Sequence, residues 1–198
     1  MKAVLISITP KWVEKIVSGE KTIEVRKAVP KEVPFKAYIY CTKAKKQWRL
    51  SDYEGAYENS KGEIVYAQQH IIGEFICDKV ERFVVGSLRS DDIEKLACLS
   101  YNEMISYFYK PKELDGKTAK QGFAWHISDL KIYDKPCELS EFKTPPCEKG
   151  EKACANCKWL VKVNTPDRYE CECYVEYGRQ ITRPPQSWQY VEDLGEVQ

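Results

Sequence analysis

The run HIIGEFICDKVERFVV, residues 70–85, is the longest strand pattern in the chain and the strongest constraint on its fold. Its apolar residues recur at strand-like intervals, and Gly73 marks a bulge or bend within it. A strand of this length needs partners on both sides. KAVLISI (2–8) reads as a buried strand, AYIYCT (37–42) as another and FAWHISDLKIYD (123–134) as a further one, broken near Asp129. Thr22–Arg26 alternates polar and apolar side chains, the pattern of a half-buried strand.

Helices fall between these strands. Thr9 is placed as an N-cap and Pro10 as a first helical residue. Trp12, Val13, Ile16 and Val17 then recur at helical spacing, and Gly19 can close the helix. Ser90, Asp91 and Asp92 open a short helix that runs through Leu96. Ser100 with Glu103 forms a capping box for another, whose apolar side is Tyr101, Met104, Ile105 and Phe108. Residues 50–68 are polar and tyrosine-rich, the composition of a long loop with room for a short hairpin. Strands dominate with helices inserted, which predicts an α+β domain whose sheet curls into a barrel. The proline pair 145–146 marks a boundary, dividing the chain into 1–143 and a cysteine-rich extension, 144–198.

The totals bound the function. At 198 residues, 43% hydrophobic and 31% charged, the chain can bury a core but has no apolar run long enough to cross a bilayer. The N-terminus has no signal-peptide pattern, so a cytoplasmic location is expected. The net charge of +1 is uninformative, but residues 1–50 hold 12 Lys and Arg against 4 Asp and Glu. Such asymmetry is what a face that meets a polyanion requires, and it is also what a solvated basic face looks like.

The alternation in Thr22–Arg26 puts Ile23 and Val25 on a core face and Thr22, Glu24 and Arg26 on the other. Lys21 has the wrong parity for that second face, and it can join only at the strand mouth, where Gly19 lets the chain turn. An edge strand with a weak surface ion pair is the plainer reading of this segment taken alone.

Gly19-x-Lys21-x-x-Glu24-x-Arg26 resembles the signature of ASCH domains, of the PUA-like superfamily. The surroundings agree. A strand and short helix precede the motif, YIYCT and GEFICDKV resemble the core strands that follow, and HISDLKIYDKP resembles the closing strand. The similarity covers roughly residues 2–142. It implies a PUA-like β-barrel with short flanking helices, a cleft lined by the Gly-x-Lys motif, and binding of RNA or a modified nucleoside. Some ASCH members remove the acetyl group of N4-acetylcytidine, and others are associated with ribonuclease activity. On that analogy Lys21 is the candidate catalytic residue, and Glu103 or Glu94 would supply a distant acid. The amidohydrolase branch has Thr where this chain has Glu24, which removes the expected nucleophile.

The residue chemistry suits such a ligand. Lys21 is a point charge matched to a phosphate, and Arg26 offers a planar fork for a phosphate or a base. Glu24 can orient Arg26 or accept from an exocyclic amine. Lys43, Lys45, Lys46 and Arg49 extend the basic surface, and Trp48 among them can stack a base or cover the edge of the core. The alternatives are an enzyme, either an N4-acetylcytidine amidohydrolase or a ribonuclease, and an adaptor that recruits a protein partner through its C-terminal tail.

Nine cysteines are many for a cytoplasmic chain. Cys41, Cys77, Cys98 and Cys137 are scattered, and those in apolar runs read as small core residues. Cys147, Cys154, Cys157, Cys171 and Cys173 cluster, with a CxxC pair and a second pair after KWLVKV and RYECECY, two strand-like stretches. This is the layout of a zinc-knuckle-like extension holding a structural Zn2+ with four of the five thiolates. A disulfide and an iron–sulfur cluster are the other readings. RPPQSWQYVEDL, near the end, is expected to pack back on the body of the protein.

Overall fold

A computed structural model describes residues 1–44, 56–110, 119–146, 160–162, 169–171 and 178–195. The larger sheet has five strands in the order β12 (Trp188–Val191), β1 (Lys2–Ile8), β3 (Phe35–Cys41), β6 (Ile71–Cys77) and β9 (Ser128–Cys137). Only the β1–β3 pair is parallel. A three-stranded sheet has the order β2 (Ile23–Arg26), β8 (Gln121–His126), β7 (Val80–Val84). Two hairpins complete the strands, β4 (Ala56–Glu58) with β5 (Ile64–Tyr66) and β10 (Leu160–Lys162) with β11 (Tyr169–Cys171). The first lies in the stretch expected to be a long loop with a hairpin, and the second joins the two strand-like stretches of the extension.

Both faces of the larger sheet are buried, which accounts for the unbroken apolar runs in β1 and β3. One face, with Val4, Ile6, Phe35, Ile39 and Phe75, meets Trp125 of the smaller sheet. Phe35 and Trp125 pack edge to face with centroids 4.9 Å apart. The opposite face, with Leu5, Tyr38, Tyr40 and Ile71, packs on Tyr133, Phe142 and Ile181. The far side of the smaller sheet, with Ile23, Val25, Phe83 and Ala124, is covered by α2 (Leu88–Leu96) and α3 (Tyr101–Phe108) through Ile93, Met104 and Phe108. The architecture is therefore α+β, as expected. The described strands form separate sheets, and no closed barrel is present among them.

The 70–85 run is not one strand. It leaves the larger sheet after Cys77 and enters the smaller one at Val80. The 123–134 run does the same, crossing at Ile127 with Asp129 at φ 47°. The two crossings are adjacent, since His126 N donates to Lys79 O (3.0 Å) and Ser128 Oγ to Asp78 Oδ1 (2.9 Å). An antiparallel pair turns the corner between sheets together. Gly73 sits at a register shift, where a Cβ would run into Lys131 O.

α1 (Pro10–Val17) begins at Thr9 as expected, although the Thr9 side chain makes no capping bond. The Ser100–Glu103 capping box is present, and Met104 and Phe108 are buried, whereas Tyr101 is exposed. β12 pairs antiparallel with β1, so the end of the expected extension, 144–198, supplies an outer strand of the main sheet. Its base is clasped to the body. Thr144 N donates to Arg179 O (2.8 Å), Arg179 N to Thr144 Oγ1 (3.0 Å), and Lys143 bridges Gln180. Gly178 lies at φ +66° with Thr144 O so close that a Cβ would overlap it.

Candidate functional site: a charged cleft between the sheets

β2 places the charged motif where the two sheets and the helices meet. Ile23 and Val25 face α2 and α3. Glu24 and Arg26 point the other way, as parity requires, but they are only 7% and 6% exposed. β2 is an edge strand of its sheet, as the plainer reading had it, but it is not solvated, because β1 and the segment before β12 close over its polar face. Lys21 precedes the strand, after the turn at Gly19 (φ +76°), and is 2% exposed.

The three side chains form one network. Glu24 Oε2 lies 3.2 Å from Lys21 Nζ, and Glu24 Oε1 lies 2.9 Å from Arg26 Nη2. Lys21 Nζ also donates to Ala97 O (2.7 Å), the carbonyl at the C-terminal end of α2, where the helix dipole favours a cation. Arg26 Nη2 donates to Ser7 O (2.8 Å), and Nη1 to Ser187 O and Oγ (3.3 Å each). Arg26 Nε is buried with no partner. Glu24 therefore orients both cations, one with each oxygen.

These residues line a cleft of about 340 Å³ together with Ser7, Thr9, Trp12, Glu103, Tyr107 and Gln186. The volume falls within the range of small-molecule sites. Two aromatic rings border it. Trp12 has its ring centroid 5.3 Å from Lys21 Nζ, and burial raises the Tyr107 hydroxyl pKa above its ordinary value despite the opposing pull of Arg26. At the mouth, Lys11 Nζ meets Glu103 Oε1 at 2.6 Å, joining α1 to α3. That bond and the capping-box amide of Ser100 pull the Glu103 carboxyl down to about 2.

Of the two glutamates offered as a distant acid, Glu103 lines the cleft. Glu94 does not line it; one of its carboxylate oxygens is buried without a partner, and burial raises its pKa. Lys43 is exposed, one residue beyond Thr42, whose amide donates to Ile8 O (2.8 Å) at the cleft wall. Lys43 thus stands beside the cleft. Lys45, Lys46, Trp48 and Arg49 lie outside the described residues. Sequence reasoning missed Trp12 because it sits in a helical apolar stripe, where a core role is the default, and Tyr107 because it lies outside the apolar side of its helix and no local signal marks it. Ser187 and Gln186 were missed because they lie about 160 positions from the motif.

Cys147, Cys154, Cys157 and Cys173 also lie outside the described residues, and only the backbone of Cys171 is described. Among the described residues no group of three or more His, Cys, Asp or Glu is placed to hold a metal. The β10–β11 register sets Cys171 opposite Leu160. No helix among the described residues is long and apolar enough to cross a membrane.

The α+β architecture has solved counterparts. No family model matches the sequence, and no curated protein does. Among solved structures, ASCH from Zymomonas mobilis aligns at 19% identity over 96% of this chain and 88% of that one, with a TM-score of 0.51. Two single-substitution variants of the Zymomonas mobilis protein align at 18% identity, with TM-scores of 0.52 and 0.51. They cover 97% and 96% of this chain and 91% and 89% of theirs. The protein has the ASCH fold.

Proposed function

We propose that the protein binds RNA or a modified nucleoside, one nucleoside unit at a time, in the cleft built around Lys21, Glu24 and Arg26. The observation that carries this reading is the convergence of those three buried charges with Trp12 and Tyr107 in one cleft. A base needs a flat apolar partner and directional donors and acceptors, and the cleft offers both. The ASCH fold supports the reading, because ASCH domains are associated with RNA. Lys43, exposed one residue past Thr42 at the cleft wall, adds a cation on which a strand of RNA could rest a phosphate.

No feature of the site favours hydrolysis. Lys21 directs its hydrogens at a carbonyl and a carboxylate, the pattern of a donor rather than of a base. Glu103, held at about 2, is a weak proton acceptor at neutral pH. A structural zinc bound by four of Cys147, Cys154, Cys157, Cys171 and Cys173 belongs to the same proposal; it would fold the extension and take no part in binding. Ser7 Oγ donates to Pro185 O (2.6 Å) and Ser7 N to Ser187 O (3.0 Å), which ties the backbone of the RPPQSW segment to β1, while Arg183, Pro184 and Gln186 stay exposed.

The test is equilibrium binding of single-stranded RNA and of N4-acetylcytidine to the wild type and to Lys21→Ala, with thermal melts of both proteins. Saturable binding lost in a folded Lys21→Ala protein supports the cleft. Equal binding by both removes it. Release of cytidine would make the protein an enzyme.

A further inference from the structure

We infer that the cleft selects a nucleotide unit bearing one phosphodiester, a monoanion, over a neutral nucleoside. This rests on the reading of the cleft as a nucleoside site and narrows its ligand. The argument is a charge count in a dry place. Lys21, Arg26 and Glu24 are each less than one-tenth exposed, and together they are two cations on one carboxylate. The other charged pair at the cleft, Lys11 and Glu103, is internally neutral. The buried trio therefore carries a formal excess of one positive charge, with Glu103 at the cleft offset by Lys11.

Buried charge needs a partner. Backbone carbonyls of Ala97, Ser7 and Ser187 receive hydrogens from Lys21 and Arg26, but carbonyls contribute dipoles and not a countercharge. Both oxygens of Glu24 already face a cation. A ligand bearing one negative charge completes the balance, and a neutral nucleoside leaves it open. A phosphodiester carries that charge at every pH near neutrality. Thr9, at the N-terminus of α1, lines the same cleft with a hydroxyl that caps nothing. It adds a hydrogen-bond donor on the wall facing the ligand. The cleft is too small and too deeply walled for a duplex, so the nucleotide is one unstacked unit of a single strand.

The experiment is isothermal titration calorimetry of the full chain with the four ribonucleosides and with the four homodinucleotides that contain a single phosphodiester. The expected result is at least about a tenfold preference for a dinucleotide over its nucleoside. That preference falls with added salt at a slope of about −0.7 in log K against log salt, the value for one phosphate on a single strand. Lys21→Met abolishes the preference. The salt slope needs no variant, so the inference stays testable if that substitution unfolds the protein. Nucleosides that bind as tightly as dinucleotides, or a salt slope near zero, would overturn the monoanion inference and leave the nucleoside reading standing. No binding by any of the eight compounds at millimolar concentration would overturn both.

Discussion

Removing Glu24 should destabilise the protein more than removing Lys21, although both belong to one network. Lys21→Met leaves Glu24 paired with Arg26 at 2.9 Å, a neutral pair with its carbonyl contacts intact. The loss is the hydrogen bond to Ala97 O and the 3.2 Å contact with Glu24 Oε2, whose charge Arg26 still balances; the orphaned buried carbonyl costs about 1–3 kcal/mol. Glu24→Gln instead leaves two buried cations with no countercharge, and breaking a buried pair in this way costs about 3–5 kcal/mol. For a chain of this length each kcal/mol lowers Tm by about 2–4 °C. The two variants should thus fall by about 2–12 °C and about 6–20 °C, with Glu24→Gln always the lower. The double variant Lys21→Met/Glu24→Gln should recover part of the loss, because it returns the site to one cation. Urea unfolding of the four proteins, ligand-free and at fixed salt, measures this as a double-mutant cycle. Equal losses, or an additive double variant, would refute the claim that Glu24 neutralises the two cations.

Other outcomes follow from the same structure. Glu103 has a folded pKa of about 2, below the ordinary 4.5, so its contribution to stability is complete above 4.5 and lost as pH falls from there toward 2. Glu103→Gln should flatten the dependence of Tm on pH in that window, and the half-exposed Lys11 pair supplies only part of the effect. Cys41 and Cys77 are buried with thiols pushed up to about 12, and Cys137 to about 11. Brief iodoacetamide treatment of the native protein should therefore label the partly exposed Cys98 before those three, as read by peptide mass spectrometry. Replacing residues 147–177 with a short Gly–Ser link should preserve folding, because Thr144 and Arg179 already hold the ends together. Truncation after Pro146 should not, since it removes β12 and the Ser187 contacts to Arg26; circular dichroism melts separate the two cases.

Much of this fold was legible in the sequence because local signals and tertiary packing agree. The first helix starts and stops where Thr9, Pro10 and Gly19 place it, and the Ser100–Glu103 box caps the helix it predicts. What stayed hidden was non-local. Both sheets bury apolar residues, so a strand that crosses from one to the other at Asp78–Lys79 shows no change of pattern. The barrel expectation came from the dominance of strands with helices inserted and from the resemblance to ASCH domains, and neither fixes how the strands divide between sheets. The motif residues Lys21, Glu24 and Arg26 were visible in order and parity, but their burial was not, because it depends on β1 and on Ser187, about 160 positions away. Trp12 illustrates the general difficulty. Its spacing with Val13 and Ile16 marks a buried stripe, yet Val13 and Ile16 enter the core and Trp12 borders the cleft.

The most direct test of the cleft as the nucleic-acid site is ultraviolet cross-linking of the full protein to single-stranded RNA, with the linked peptides identified by mass spectrometry. The account predicts cross-links at Trp12 and Tyr107, the aromatic walls of the cleft, and their loss in Lys21→Met. Cross-links confined to distant aromatic residues such as Tyr66, in the separate cleft beside His70 and Asp134, would contradict it.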